Sequence, residues 1–312
     1  FLFSMVPGRS RALHGAGFAQ PDVCSPRDLC SPRETCAFRD AEAALAVRVE
    51  AALLAAGLQP VATGAWASAA AAQGRAAAGR PGGEERRHPR VLLILVVGGG
   101  AVKAGFWSSI ALCMARGVDV GSVLPYVRFA AELGWEVLLL SPQAQKDAAS
   151  AWLSVVVPWA ESSGKLLVAA HSLGGPFVLR LLSRSSFARD AVVGIALLDS
   201  THVAKSPGIS VLARIRAASW VPSEKAAGET LSGMRGPVDN LGCPVFAAGC
   251  REHVLVPHAA LPAVFAYLRE RAGSGICEAL PPLCLAPKTT SWRCTREQQR
   301  SACATLPCLA AQ

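Results

Sequence analysis

Leu166–Leu182 runs LLVAAHSLGGPFVLRLL. Leu166–Ala170 is a short, wholly apolar run of the kind that forms a buried strand. His171-Ser172-Leu173-Gly174-Gly175 breaks it with small residues, and Pro176 is suited to the first turn of a helix running on to Leu182. Strand, serine at a tight turn, then helix is the layout of a nucleophile elbow, in which the turn lifts the serine hydroxyl above the end of the sheet. Small residues are needed there because strand and helix backbones approach closely. Ala170 stands where that motif usually has its first glycine, and Gly174 holds the last.

Working outward, the same alternation recurs. Val91–Val97 predicts a buried strand and leads into Gly98-Gly99-Gly100. Ser122–Leu133 predicts an amphipathic helix ended by Gly134, and Glu136–Leu140 predicts a strand closed by Ser141-Pro142. Ala148–Glu161 is helical in pattern, with Pro158 as a kink or boundary. Val192–Leu198 predicts another strand, followed by Asp199-Ser200-Thr201-His202. Pro244–Ala248 is the last clear strand, and Ala259–Arg271 the closing helix. Apolar strands alternating with helices imply a parallel sheet covered on both faces. Right-handed crossovers then bring the C-terminal ends of the strands to one edge, where ligands bind in open α/β sheets. The three glycines, Ser172, Asp199 and His253 all follow strands at that edge.

Towards the N-terminus, Asp40–Ala56 has helical apolar spacing and strong helix formers, and Gln59–Ala62 is the pattern of a short strand. Ala65–His88 is rich in Ala, Gly and Arg and reads as low complexity. Residues 1–36 carry the near-repeat CSPRDLC and CSPRETC among Pro, Arg and Ser. The expected organisation is an irregular segment over 1–39, an α/β domain over 40–272 with a low-complexity insertion over 65–88, and a poorly ordered Cys-rich tail over 273–312.

Composition narrows the function classes. At 312 residues and 52% hydrophobic, the chain can build a large core. No apolar run reaches the roughly 18 residues of a membrane helix, so no membrane association is expected. FLFSMVPG at the start lacks a basic region before it and does not read as a signal peptide. The net charge of +9 is spread out, densest at Glu84-Glu85-Arg86-Arg87-His88-Pro89-Arg90, without interleaved aromatics. Sequence-specific nucleic-acid binding is therefore not expected. The 11 cysteines form no CxxC pair, so no metal site is expected, and their odd number suggests a reduced, intracellular chain. GGGAVKAGFW lacks the Gly-Lys-Ser/Thr ending of a phosphate loop, and no G-x-G-x-x-G opens a helix, so no nucleotide cofactor is expected either.

A serine nucleophile needs a base within hydrogen-bond reach and a third group to orient that base. Ser172, Asp199 and His253 occur in the order found in α/β-hydrolases. In that assignment His253 takes the Ser172 proton and Asp199 holds the imidazole. The oxyanion would meet the N–H of Leu173 and one from Gly98, Gly99, Gly100 or Ala101. His258 is a rival base and Glu252 a rival acid, while His171 and His202 flank the cleft in structural or lining roles.

Five segments in order, VVGGGAVKAGFW, VDVGSVLPYVRFAAELGWEVLLLSP, LLVAAHSLGG, VVGIALLDSTH and CPVFAAGCREH, resemble the argonaute-binding-protein-two (Arb two) domain. That family includes animal cotranscriptional regulators and the C-terminal extension of fungal class II histone deacetylases. The similarity runs from about Val91 to Leu268. It implies an α/β-hydrolase-like fold, a mostly parallel sheet with helices on both faces. It also places Ser172, Asp199 and His253 on the family's serine, aspartate and histidine. Val97 stands where many members have His, the charged insertion after the fourth strand is nearly absent, and the Cys-rich tail has no counterpart. The resemblance implies a regulator of small-RNA-directed silencing or co-transcriptional control, with an argonaute or chromatin-silencing partner, in nucleus or cytoplasm. The alternative is a serine hydrolase of esterase type acting on a small ester, thioester or amide.

Overall fold

The computed structural model describes residues 32–73, 90–99, 103–202, 206, 209–212, 215–231 and 241–273, with side chains from residue 38 onward except at Gln145. Two compact units are distinguished, Phe1–Ala41 and Glu42–Gln312. The described part of the first is helical backbone, the opening of the helix Pro32–Ala55.

Among the described residues the second unit has eight strands: β1 (Leu58–Ala62), β2 (Ala65–Ser68), β3 (Val91–Val96), β4 (Glu136–Leu140), β5 (Lys165–His171), β6 (Val192–Leu198), β7 (Ala217–Val221) and β8 (Val245–Ala247). They form one sheet in the order β1-β2-β4-β3-β5-β6-β7-β8. The six strands from β4 to β8 are mutually parallel, and β1 and β2 form an antiparallel hairpin on the β4 edge. This is an α/β fold, a mostly parallel sheet with helices on both faces.

Why the central strands are apolar throughout follows from the period of two along a strand. Leu93, Leu95 and Val97 face one core, shared with Val49 and Leu53 of the first helix, Trp107, Tyr126, and Val264 and Leu268 of the closing helix. Leu92, Ile94 and Val96 face the other, shared with Trp152, Trp159 and the helix after β5. Every residue of β3 is buried. Burying each Leu, Ile or Val side chain contributes about 1.5–3 kcal/mol, so the strand is fixed in register by both layers at once.

Both edges of the sheet are blunted. Pro60 lies in β1, where a missing N–H does no harm on an edge strand, and a register irregularity follows it. At the other edge the segment 228–231 bonds back to β8, through Gly228 N–H to the Ala247 carbonyl (2.9 Å) and Leu231 N–H to the Val245 carbonyl (2.8 Å).

The structure corrects the sequence reading at several points. The first helix begins at Pro32, so the expected irregular segment over 1–39 ends in helix. Ala65–Ser68 is not part of a low-complexity insertion. It is β2, paired with Leu138–Leu140, and the short helix Ala69–Ala72 follows it. Small alanines there suit close approach to the layer beneath, which composition alone cannot distinguish from a linker. The rest of that insertion, 74–89, and the tail, 274–312, lie outside the described residues. β7, AASWV, carried no clear strand signal. The helix expected over Ala148–Glu161 widens into π-helical geometry at Trp152–Val156. Pro158 has no N–H to donate to the preceding turn, which removes an α-helical bond at that place.

Candidate active site

β5 ends at His171, whose partner in β6 is Leu198. Ser172 and Asp199 are therefore each the first residue past a paired strand end, side by side on one edge of the sheet. Both have left-handed backbones, φ +53° at Ser172 and +43° at Asp199. That conformation is uncommon for residues with a side chain and survives where the surroundings hold it. Here the holding bonds extend the ladder. Ser172 N–H donates to the Leu198 carbonyl (3.2 Å), Thr201 N–H donates to the Ser172 carbonyl (3.2 Å), and Asp199 N–H donates to the Trp220 carbonyl (2.7 Å).

The glycines after the serine are there for space. A Cβ on Gly174 would stand 2.6 Å from the Val96 carbonyl oxygen, and one on Gly175 would stand 1.8 Å from Ser200 Oγ. The helix Gly174–Arg184 can thus start close against the end of β3, with Leu173 at its N-cap, where a backbone N–H has no intrahelical partner. The Gly98–Gly99 backbone reaches the same place. A Cβ on Gly99 would overlap Leu173 Cδ1 at 2.2 Å, and one on Gly98 would lie 3.6 Å from Ser172 Cβ. Gly98 N–H is already engaged by the Trp107 carbonyl (3.1 Å). Gly99 and Leu173 are thus the described backbone donors left from the expected set, and Gly100 and Ala101 lie outside the described residues.

His253 arrives from beyond β8, opening a short 3-10 turn, His253–Leu255. Its loop is pinned by Ser223 N–H to the Cys250 carbonyl (2.7 Å), an Arg251–Glu224 ion pair, and Tyr126 Oη–H to the Pro257 carbonyl (2.8 Å). The imidazole Nδ1 lies 2.6 Å from Asp199 Oδ2, with the His253 side chain 43% exposed and Asp199 23%. A carboxylate oxygen accepts, so Nδ1–H is the donor in this bond, and in the neutral form of the ring Nε2 is then the acceptor. Among the described residues no hydrogen bond joins Ser172 Oγ to His253.

The rival residues are placed elsewhere. His258 turns to the Asp119 backbone, and burial lowers its pKa. The acid that meets the His253 ring is Asp199, not Glu252. His202 is buried, with Nε2 donating to the Leu241 carbonyl (2.9 Å) and Nδ1 accepting from Ser200 Oγ (2.8 Å); burial lowers its pKa as well. His171 is buried under the elbow, where burial first, and then the neighbouring His253, push its pKa down to about 4. The described free cysteines, Cys113, Cys243 and Cys250, have thiols pushed by burial to about 11, 12 and 11. At neutral pH they carry little thiolate and so are poor nucleophiles. Among the described residues there is no cluster of three or more His, Cys, Asp or Glu able to hold a metal ion, and no helix long and apolar enough to cross a membrane. The contributions of Trp107 and Tyr126 had no sequence signal, because one acts through its backbone carbonyl and the other through a contact distant in the chain.

No protein-family model and no curated protein matches the chain. Solved structures similar to it include the esterase domain of a Rhodothermus marinus protein, at 13% identity and TM-score 0.37 over 59% of this chain and 88% of that one. A dienelactone hydrolase from Anabaena variabilis is similar at 12% identity and TM-score 0.34 over 61% and 88%. DphMB1 is similar at 18% identity and TM-score 0.33 over 61% and 79%.

Proposed function

We propose that the chain is a serine hydrolase of esterase type, with Ser172 as nucleophile, His253 as base and Asp199 as its orienting acid. The observation that carries this is the pair of left-handed residues, Ser172 and Asp199, side by side past the ends of β5 and β6, with the Asp199 carboxylate 2.6 Å from the His253 ring. Side-chain-bearing residues held in that conformation cluster at active sites.

In this mechanism Ser172 Oγ attacks the acyl carbon as its proton passes to His253 Nε2. Negative charge gathers on the former carbonyl oxygen, where the N–H groups of Leu173 and Gly99 supply donors. Asp199 stabilises the imidazolium through Nδ1–H. Collapse breaks the bond to the leaving group, which takes the proton from Nε2. Water then repeats the sequence on the acyl-serine and restores the free hydroxyl.

Hydrolysis of short-chain aryl esters by the full chain tests this. Ser172→Ala and His253→Ala are expected to lower kcat/KM at least 1,000-fold with the fold intact, and Asp199→Asn at least 100-fold by releasing the tautomer. Hydrolysis that persists in Ser172→Ala contradicts the assignment.

Regulation of small-RNA-directed silencing, through an argonaute or chromatin-silencing partner in nucleus or cytoplasm, is a second proposal. The five ordered segments that resemble the Arb two domain support it. Co-elution of the purified chain with a purified argonaute is expected on this proposal, and separate elution contradicts it.

A further inference from the structure

His171, the residue before the nucleophile, has no part in the proton relay, yet it touches both loops that complete the site. Its ring is 1% exposed and stacks on the His253 ring, with centroids 4.6 Å apart and planes inclined by 28°. Its Nε2 lies 3.3 Å from the His253 carbonyl oxygen. On the other side its Nδ1 lies 3.0 Å from the carbonyl oxygen of Trp107, which also accepts Gly98 N–H (3.1 Å). One side chain thus spans from the Gly98–Trp107 loop, beneath the elbow, to the turn that carries the base.

From this bridge, and resting on the hydrolase reading above, we infer that His171 is a positioning residue that holds the His253 turn in register with Ser172. Asp199 fixes one edge of the His253 ring through Nδ1. A single hydrogen bond leaves the ring free to swing about it. The His171 ring supplies a flat support against one face, and the contact at the His253 carbonyl ties down the backbone of the same residue. Face, edge and backbone together define where Nε2 points. The support works best uncharged, since a cation stacked there would oppose the imidazolium that forms on His253. Burial keeps His171 neutral at neutral pH. The neutral ring has one proton: carried on Nε2 it donates to the His253 carbonyl, and the Trp107 carbonyl, facing the Nδ1 lone pair, keeps its bond from Gly98 N–H.

Two variants separate the contacts, because a glutamine amide reaches about as far as Nε2 and an asparagine amide about as far as Nδ1. The rate at which a fluorophosphonate labels the full chain is compared for wild type, His171→Gln and His171→Asn, with folding checked by circular dichroism. His171→Gln, which keeps a donor for the His253 carbonyl and sets a planar amide where the ring stood, is expected to retain at least half the wild-type rate. His171→Asn is expected to fall about tenfold. Should His171→Asn not fold, His171→Phe, which keeps a ring but no donor, takes its place with the same expected loss. Labelling of the Asn or Phe variant as fast as that of the Gln variant overturns the inference. A wild-type chain that takes no label contradicts the hydrolase reading instead. Positioning is then decided by the downfield proton resonance of the His253–Asp199 hydrogen bond: loss in His171→Asn with retention in His171→Gln supports it, and retention in both overturns it.

Discussion

At the scale of single residues, the site depends on what is absent as much as on what reacts. Gly174 begins its helix against the carbonyls of Val96 and Val97, 2.6 and 2.8 Å from where a Cβ would stand. Those are backbone atoms at the end of a fully buried strand and cannot move aside cheaply. Gly174→Ala is therefore expected to destabilise the domain by about 1–3 kcal/mol, read as a lower urea midpoint with an unchanged slope. An unchanged midpoint would mean the elbow is looser than described. His171 supplies a second expectation. Its pKa falls from an ordinary 6.5 to about 4 in the folded chain, mainly by burial. Between those values the unfolded chain binds more protons than the folded one, so stability is full above about pH 6.5 and is lost as pH falls towards 4. His202 and His258, also lowered by burial, act in the same direction. The melting temperature is expected to drop between pH 7 and 4.5, and less so in His171→Gln, which removes a contribution on the order of 3 kcal/mol. Equal drops in both proteins would place His171 outside this linkage.

At the scale of elements, legibility in the sequence followed burial. β3, β5 and β6 are apolar on both faces, and their boundaries could be read to within a residue or two. Ser172 and Asp199 were legible for the same reason, since each directly follows such a strand. β2 and β7 were not. AWAS and AASWV are short and half small residues, and their strand character comes from neighbours already in the sheet, Leu138–Leu140 for β2 and Ile195–Leu198 for β7. Gly98 illustrates a different limit. Its place beside the elbow was readable, but the Trp107 carbonyl that engages its N–H belongs to a return of the loop that only the folded chain reveals. The first helix was legible by its spacing, but not its depth. Val49 and Leu53 are each 1% exposed, and Val49 Cγ1 and Leu53 Cδ1 lie 3.0 and 3.3 Å from where Gly105 would carry a Cβ. This helix supports the loop that leads to Trp107. Leu53→Ala is expected to destabilise by about 2–5 kcal/mol in chemical denaturation. A change below about 1 kcal/mol would show that the helix merely lies on the surface.

At the scale of the whole molecule, the sheet within Glu42–Gln312 should unfold as a unit from its edges inward. Backbone amides of β3, β5 and β6 are expected to exchange with solvent only on global unfolding, and those of the outer strand β1 orders of magnitude faster. Protection of β1 equal to that of β5 would contradict this layering. On the proposed function, Ser172 is a serine activated by His253 and Asp199. The most direct measurement is the mass of the intact chain after brief exposure to a fluorophosphonate, followed by peptide mapping. Attack by Ser172 Oγ expels fluoride and leaves a phosphonyl group on the protein. One added group, located on the peptide containing Ser172 and absent from Ser172→Ala, is the result expected. A folded chain that stays unmodified, or carries the group elsewhere, would contradict the account.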